Sequence, residues 1–203
     1  MTEAAPLVHV VDDDDAMRDS LCWLIESVGL AARGYATADA FALAYGGGHP
    51  GCVLLDIRMP GLSGLDLQEV LNRQGARIPL IFLTGHGDIP MAARAFKAGA
   101  FDFLEKPCND QILLDRIHEA IAEHRRRLAE KAVHEDLVAR ANSLTRRERQ
   151  VAELVSLGLS TREIAAQLGI SGKTADIHRH NALVKMKADS SAELASLWAM
   201  FKN

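Results

Sequence analysis

The first half of the chain alternates short apolar runs with segments whose apolar residues recur at helical spacing. The apolar runs are LVHVV at 7–11, LAARGY at 30–35, CVLLD at 52–56, PLIFLT at 79–84 and FDFLE at 101–105, of which LAARGY is the weakest. Between the first two runs, the segment from Ala16 to Val28 has helical periodicity and stops at Gly29, and a second helix is predicted from about Thr37. This alternation predicts an α/β doubly wound five-stranded parallel sheet with helices on both faces.

The second half of the chain reads as all-helical. From Asn109 to about Ala141 there is no Pro or Gly, which predicts one long helix that completes the sheet domain and continues as a connector. Thr145 then stands three residues before Glu148, the spacing of a capping box at the start of a compact helical segment. Within that segment, GLSTREIAAQLGIS predicts a short helix over 161–168 and a second over about 172–187, the plan of a helix-turn-helix. On spacing alone, a helical hairpin for protein contacts is the alternative.

Length and composition agree with two folded modules. With 203 residues, 48% hydrophobic and 25% charged, the chain is long enough for one medium and one small domain. We expect the sheet domain at 1–123, a helical linker at 124–142 and the small helical domain at 143–203. No apolar run approaches the roughly 20 residues of a membrane span, and no signal peptide is recognisable, so we expect a soluble, cytoplasmic protein with no membrane partner.

Charge is distributed unequally between the two halves. Residues 1–123 hold nine Lys/Arg against 18 Asp/Glu, a net of −9, whereas residues 124–203 hold 14 against nine, a net of +5. Only the C-terminal part is therefore expected to meet a polyanion. The three cysteines, Cys22, Cys52 and Cys108, form no C-x-x-C pair and are predicted to be reduced packing residues.

Carboxylates mark the ends of two strands that the predicted sheet makes neighbours. Asp12 to Asp15 follow the first strand and Asp56 ends the third, so Asp12, Asp13 and Asp56 are expected to converge. Clustered carboxylates require a cation, and hard oxygen ligands suit Mg²⁺. The alternative is that the aspartates cap the following helix, which applies to Asp14 or Asp15 but leaves Asp56 unexplained.

A hydroxyl and an ammonium group are predicted at the same edge of the sheet. Thr84 ends the fourth strand and Lys106 follows the fifth. A carboxylate nucleophile, a divalent ion, a hydroxyl and an ammonium around one point are what phosphoryl transfer requires. Considered alone, each residue has a simpler interpretation: Thr84 as a cap at the end of its strand, and Lys106 as part of a surface turn.

These motifs resemble a known family. VVDDDDAMRDSL, DIRMPGLSG, TGHGDIPMA and FDFLEKP, in this order, resemble the receiver domain of response regulators, in particular the FixJ subgroup, over residues 7 to about 123. The resemblance implies a flavodoxin-like fold in which Asp56 accepts a phosphoryl group from a sensor histidine kinase. It further implies Mg²⁺ ligands at Asp13, Asp56 and the backbone carbonyl of Arg58, with Asp12 helping through water.

The same resemblance assigns switch residues. Lys106 would pair with the phosphoryl group, Thr84 would turn inward to hydrogen-bond it, and Phe103 would follow Thr84 into the core. Arg58 and His86 occupy the positions that tune attack of water on the acyl phosphate in such receivers. Cys108 replaces a phenylalanine that is common in the subgroup, which indicates looser packing there.

The second helix of the predicted helix-turn-helix is rich in groups that meet phosphates and base edges. The stretch from LTRRERQV through KMK resembles the LuxR-type helix-turn-helix of the NarL/FixJ class over residues 143–203. By that resemblance Asp176, Ile177 and His180 face bases. The expected phosphate contacts are Lys173, Thr174, Arg179 and Lys185.

Together these features predict a phosphorylation-dependent transcriptional regulator that binds double-stranded DNA. Phosphorylation of Asp56 is expected to favour a homodimer, with RNA polymerase as a candidate further partner and Mg²⁺ as the cofactor. Beyond its own phosphorylation and dephosphorylation, no enzyme activity is expected. One alternative is a phosphohydrolase with Asp56 as nucleophile, but Arg58 stands where such enzymes place a second Asp. Another is a DNA binder that no longer responds to phosphate, against which the set of Asp13, Asp56, Thr84 and Lys106 argues.

Overall fold

The computed structural model describes residues 5–85 and 89–202, and the chain divides into two compact units, Met1–Ala129 and Glu130–Asn203. The strands are β1 Leu7–Val11, β2 Ala31–Tyr35, β3 Gly51–Asp56, β4 Leu80–Thr84 and β5 Asp102–Glu105. The helices are α1 Asp15–Ser27, α2 Ala38–Ala44, α3 Gly64–Arg73, α4 Ile89–Lys97, α5 Asp110–Asn142, α6 Arg146–Ser156, α7 Thr161–Leu168, α8 Gly172–Met186 and α9 Ser191–Lys202. Helix α5 contributes its first part to the first unit and its last part to the second.

The first unit is built on a five-stranded sheet of order β2-β1-β3-β4-β5, in which all neighbouring strands are parallel. Successive residues of a strand point to opposite faces, and the central strands are apolar on both. Val53 and Leu55 of β3 pack in one core with residues of α2, α3 and α4, whereas Cys52 and Leu54 pack in another with residues of α1 and α5. The predicted doubly wound sheet is confirmed.

Local capping sets where α1, α2 and α3 begin. Asp14 is the N-cap of α1, and its side chain accepts from the backbone N–H groups of Ala16 and Met17. Thr37 and Ser63 cap α2 and α3 in the same way. Capping satisfies N–H groups that have no partner within the helix, so these polar residues end each preceding loop. In the aspartate run after β1, Asp14 is therefore the cap, Asp15 is the first residue of α1, and Asp12 and Asp13 precede the helix.

The second unit is a helical bundle. The capping box of Thr145 and Glu148 starts α6, as predicted, and a second box of Ser160 and Glu163 starts α7. Gly169 ends α7 in the left-handed conformation, with φ of 66°, which glycine adopts without steric cost. The buried core of the bundle includes Trp198, Leu194, Val151, Ile164, Ala165, Ala175, Ala182 and Met186.

Most predicted elements coincide with the observed ones to within a residue or two. Helices α3, α4 and α9 were not individually predicted. Among the described residues, no helix is both long enough and apolar enough to cross a membrane.

Candidate functional site

The carboxyl edge of the sheet brings three aspartates together. Asp12 directly follows β1 and Asp56 is the last residue of β3, and these strands are paired with Val11 opposite Leu55. Carboxylate oxygens of Asp12, Asp13 and Asp56 all lie within 4.8 Å of one another. The convergence expected from the strand order is therefore present in the structure.

Asp12 is held on both of its carboxylate oxygens. Its side chain is buried, and Oδ1 accepts a hydrogen bond of 3.0 Å from the backbone N–H of Asp14. Oδ2 accepts from Lys106 Nζ at 2.6 Å. A buried carboxylate is costly without such partners, so Lys106 and the turn into α1 together make Asp12 tolerable at this position.

Asp56 is less buried and less fully paired. Its Oδ1 accepts from the backbone N–H of Ile57 at 2.9 Å and lies 3.7 Å from Lys106 Nζ. Burial raises the pKa of Asp56 above its ordinary value; Lys106 opposes this shift, while Asp12 and Asp13 add to it. The carboxylate is thus surrounded by a cation on one side and like charges on the other, an arrangement that favours binding of a further cation.

Gly64 closes the loop that follows Asp56. A Cβ atom at this position would lie 2.3 Å from the backbone oxygen of Asp56, and the Gly64 N–H donates to the carbonyl of Ile57 at 3.1 Å. Only glycine allows the start of α3 to approach β3 this closely.

Thr84 and Lys106 lie at neighbouring strand ends. Thr84 is the buried last residue of β4, and its carbonyl accepts from the backbone N–H of Lys106 at 2.8 Å. Phe103 of β5 is half-buried, packs against the core beneath α2, α3 and α4, and has its ring centroid 6.3 Å from that of Phe82. The hydroxyl, the ammonium and the aromatic ring are therefore positioned by two adjacent strands, β4 and β5.

The donor set of this pocket fits Mg²⁺. Three carboxylates within reach of one point supply hard oxygen ligands, and the partly exposed Asp56 leaves one side accessible. Arg58 is exposed, as expected for a residue that would offer only its backbone carbonyl. His86 lies outside the described residues. Burial raises the thiol pKa of Cys108, which packs against the core between the sheet, α1 and α5, consistent with a packing role.

Helix α8 is the candidate nucleic-acid interface of the second unit. Ser171 caps its N-terminus, and Ala175, Ala182 and Met186 face the core. The opposite side of the helix exposes Lys173, Asp176, Ile177 and His180, while Thr174 and Arg179 are half-buried. The side chain of Ile177 is exposed on this side of the helix, as contact with a base would require.

Three charged residues among the predicted DNA contacts, Asp176, Arg179 and Lys185, already have partners within the protein. Arg179 forms an ion pair of 3.2 Å with Asp176, three residues earlier on α8. Lys185 Nζ donates to Glu148 Oε2 at 2.6 Å, and Glu148 is buried within the capping box of α6. Lys185 stays a predicted phosphate contact, but its position is explained by the α6–α8 pairing.

Sequence reasoning missed Arg18. This residue of α1 donates to the backbone carbonyl of Asp12 at 2.8 Å and forms an ion pair with Asp15. The i,i+3 spacing of Asp15 and Arg18 was a visible signal for the ion pair. Nothing in the spacing indicated the contact with Asp12.

Comparison with known proteins identifies both units. Residues 8–118 match the family described as response regulator receiver domain, and residues 142–198 match bacterial regulatory proteins of the luxR family. The chain is 43% identical over 197 residues to the transcriptional regulatory protein FixJ of Azorhizobium caulinodans, covering 97% of this chain and 93% of that protein. It is 44% identical to the C4-dicarboxylate transport transcriptional regulatory protein DctR of Rhodobacter capsulatus, covering 94% and 98%.

Solved structures agree with these relatives. The response regulator StyR matches with a TM-score of 0.90 at 42% identity, over 96% of this chain and 98% of that one. Full-length FixJ from B. japonicum matches with a TM-score of 0.59 at 42% identity, over 98% of both chains.

Proposed function

The chain belongs to the response regulators that join a receiver domain to a LuxR-type DNA-binding domain, and we propose that Asp56 is its phosphoryl acceptor. Such proteins are transcription regulators and not enzymes. The observation that carries the proposal is the convergence of Asp12, Asp13 and Asp56 with Lys106 at the carboxyl edge of the sheet.

The residues of the pocket have distinct roles in the proposed transfer. A carboxylate oxygen of Asp56 attacks the phosphorus of a phosphohistidine on a sensor histidine kinase, so that a P–N bond breaks as an O–P bond forms. Asp12, Asp13, Asp56 and the Arg58 carbonyl would hold Mg²⁺, which neutralises charge on the transferred group. Lys106, 3.7 Å from Asp56, pairs with a phosphoryl oxygen.

Thr84 and Phe103 carry the signal from the pocket. The Thr84 hydroxyl donates to a phosphoryl oxygen, and Phe103 follows it toward the core it already contacts at Phe82. Each phosphoryl contact favours one of two receiver conformations, so phosphorylation shifts a population. The favoured conformation forms a homodimer in the cytoplasm, which presents two copies of α8 to two DNA half-sites and recruits RNA polymerase.

The exposed side of α8 reads the DNA. Asp176, Ile177 and His180 face base edges, and Lys173, Thr174, Arg179 and Lys185 contact phosphates. We further propose the domain boundaries 1–123, 124–142 and 143–203, with the linker continuing the last receiver helix. Support comes from the continuity of α5 over Asp110–Asn142 and from the net charge of +5 in residues 124–203.

The proposal is tested with a stable phosphoryl mimic. Full-length protein is mixed with Mg²⁺ and beryllofluoride, its mass is measured by light scattering, and DNA selected from a random pool is sequenced. Beryllofluoride should increase dimer content and raise affinity for the selected DNA about tenfold or more, on the order of an allosteric coupling of 1–3 kcal/mol.

Asp56→Asn is the key variant, because it keeps the size of the side chain and removes the acceptor. It should fold, bind DNA with the basal affinity and show no response to beryllofluoride. Asp39→Asn, an exposed acidic residue on α2, is the matched control and should respond like wild type. Equal DNA affinity and equal mass with and without beryllofluoride in the wild type would overturn the proposal.

A further inference from the structure

Arg18 is directed at the backbone of the acidic pocket. One terminal nitrogen of its guanidinium donates to the Asp12 carbonyl at 2.8 Å, and the other pairs with Asp15. Only 15% of the Arg18 side chain is exposed. A planar guanidinium offers donors in a fixed geometry, so two simultaneous contacts restrain the side chain strongly.

Strand β2 supports Arg18 from the other side. A Cβ atom at Gly34 would lie 3.0 Å from both Cγ and Cδ of Arg18. The absence of a side chain at Gly34 therefore provides the space in which the stem of Arg18 lies against β2. Gly34 does not have a positive φ, so its backbone conformation is open to alanine.

The peptide that Arg18 contacts leads directly into the carboxylate cluster. The carbonyl of Asp12 belongs to the peptide group between Asp12 and Asp13, two of the three aspartates that converge. The Asp12 carboxylate is fixed separately, by Lys106 and by the N–H of Asp14. The Arg18 guanidinium holds the carbonyl itself, so it restrains the orientation of the peptide plane that carries Asp13.

We propose that Arg18 is a positioning residue for magnesium binding, which holds the Asp12–Asp13 peptide in the orientation that lets both carboxylates reach one cation, with Gly34 providing the space for it. This inference rests on the magnesium site proposed above and names a residue through which that site is maintained. Partners of this kind, outside the ligands themselves, commonly contribute about tenfold or more to metal affinity.

The electrostatic role and the positioning role of Arg18 predict opposite changes in Mg²⁺ affinity when Arg18 is removed. Loss of its positive charge leaves Asp15 unpaired, so the field near the pocket becomes more negative and a cation is attracted more strongly. Loss of the contact with the Asp12 carbonyl loosens the peptide and weakens binding. The direction of the change in affinity therefore distinguishes a positioning role from an electrostatic one.

The test is a calorimetric Mg²⁺ titration of the unphosphorylated full-length protein. Arg18→Met keeps an apolar stem of similar length and should raise the Mg²⁺ dissociation constant about tenfold, the lower end of the effects of partners outside the ligands. Arg126→Met is the matched control, because it also removes an i,i+3 ion pair, with Glu123, on a helix of the same unit. It should leave the dissociation constant unchanged.

Two double variants separate the causes. Asp15→Asn combined with Arg18→Met restores the local charge and should still bind Mg²⁺ weakly. Gly34→Ala alone should weaken Mg²⁺ binding, because it displaces the Arg18 stem. Adding Gly34→Ala to Arg18→Met should not raise the dissociation constant further. Amide hydrogen exchange without Mg²⁺ should be faster at residues 12–15 in Arg18→Met and Gly34→Ala, with α3 unchanged.

A dissociation constant that is unchanged or lower in Arg18→Met overturns the inference, as does an equal effect of Gly34→Ala with and without Arg18. If Arg18→Met fails to fold, the Gly34→Ala result decides. Failure of the wild type itself to bind Mg²⁺ would instead show that the proposed magnesium site is wrong, and the positioning role with it.

Discussion

His9 lies in the middle of β1 and is one of the buried titratable side chains in the receiver. It is 7% exposed, its Nδ1 lies 3.2 Å from the hydroxyl of Tyr35, and its ring meets Phe41 edge-on at 5.2 Å between centroids. Burial, with smaller contributions from Arg33, His124 and His49, lowers the pKa of His9 to about 4. The imidazole is therefore neutral in the folded protein at neutral pH.

This burial predicts loss of receiver stability in mild acid. The unfolded chain takes up a proton at His9 near the ordinary histidine pKa of 6.5, whereas the folded chain does so only when the pH approaches the lowered pKa of about 4. The full stability is present above pH 6.5 and falls as the pH drops toward 4, by at most about 1.4 kcal/mol per pH unit for this proton. Urea unfolding of the full chain at neutral pH and at two mildly acidic pH values measures it.

His9→Asn, which keeps a polar partner for Tyr35, should be less stable at neutral pH but should show a shallower dependence on pH. His118→Asn replaces an exposed histidine of the same unit and should leave the slope as in wild type. Identical slopes in wild type and His9→Asn would show that the acid sensitivity originates elsewhere.

At the residue scale, sequence reasoning located the side chains that end strands. The site residues Asp12, Asp56, Thr84 and Lys106 could be predicted from the sequence, because parallel strands place their carboxyl ends at one edge of the sheet. Arg18 and Gly64 could not be predicted, because both contact backbone atoms. Arg18 donates to the carbonyl of Asp12, and Gly64 packs closely against the carbonyl of Asp56. Backbone contacts between elements leave no periodicity in a sequence.

At the scale of elements, a buried ion pair joins α6 to α8. Glu148 accepts from the Thr145 N–H at 2.8 Å and from Lys185 Nζ at 2.6 Å, and it is 4% exposed. Burial opposes ionisation of Glu148, but hydrogen bonds from Lys185 and Thr145 outweigh it and lower its pKa. Lys185 therefore connects the cap of α6 to the last turn of α8.

Removing the cation of this pair should destabilise the second unit. Lys185→Met leaves the Glu148 carboxylate buried with only backbone and hydroxyl partners, at a cost of about 2 kcal/mol, below the roughly 3–5 kcal/mol of a fully buried pair because Lys185 is partly exposed. Chemical unfolding monitored by the fluorescence of Trp198, in a Trp23→Phe background, measures it. Lys173→Met, at an exposed position on the same helix, should change stability by less than about 0.5 kcal/mol.

DNA binding under conditions where both variants are folded separates the two roles of Lys185. If it contacts a phosphate, Lys185→Met lowers the salt dependence of binding by about one ion, as Lys173→Met should. An unchanged salt dependence together with lost stability would assign Lys185 to the fold alone.

Elements were predicted best where one periodicity dominated. The strands β1, β3 and β4 are apolar on both faces and stood out as continuous runs, whereas β2 lies at the sheet edge with three of its five residues exposed and was weak. Helix α3 was not individually predicted because Leu65 and Leu67 alternate as in a strand before Leu71 restores helical spacing. Helix α9 was not predicted as a separate element, although Leu194, Leu197, Trp198 and Phe201 have the i, i+3, i+4, i+7 spacing of a buried helix face.

For the whole molecule, the two units have separate cores. The receiver packs apolar residues on both faces of its sheet, and the second unit packs its own around Trp198 and Leu194. The net charge is −9 for residues 1–123 and +5 for residues 124–203, which indicates that only the second part meets a polyanion. Charge predicted which half meets DNA, but it carried no information about side-chain contacts on α8 such as the Asp176–Arg179 pair.

Separate cores predict two thermal transitions that respond to different ligands. A ligand that binds only the folded form raises stability by about 2.7 kcal/mol at a concentration roughly 100 times its dissociation constant. In scanning calorimetry of the full-length protein, Mg²⁺ with beryllofluoride should raise the transition of the receiver, and operator DNA should raise that of the second unit. Trp23 and Trp198, one in each unit, identify the transitions by fluorescence when either is replaced by Phe.

Asp56→Asn makes this a test of coupling as well as of independence. The variant should lose the beryllofluoride shift of the receiver transition and keep the DNA shift of the other. In the wild type, beryllofluoride should enlarge the DNA shift, because a ligand that raises DNA affinity must raise the stabilisation that DNA confers. A single transition whose midpoint is raised equally by either ligand would mean that the two cores unfold together. The receiver would then affect DNA binding by stabilising the folded form of both units, and not by a shift between two folded conformations.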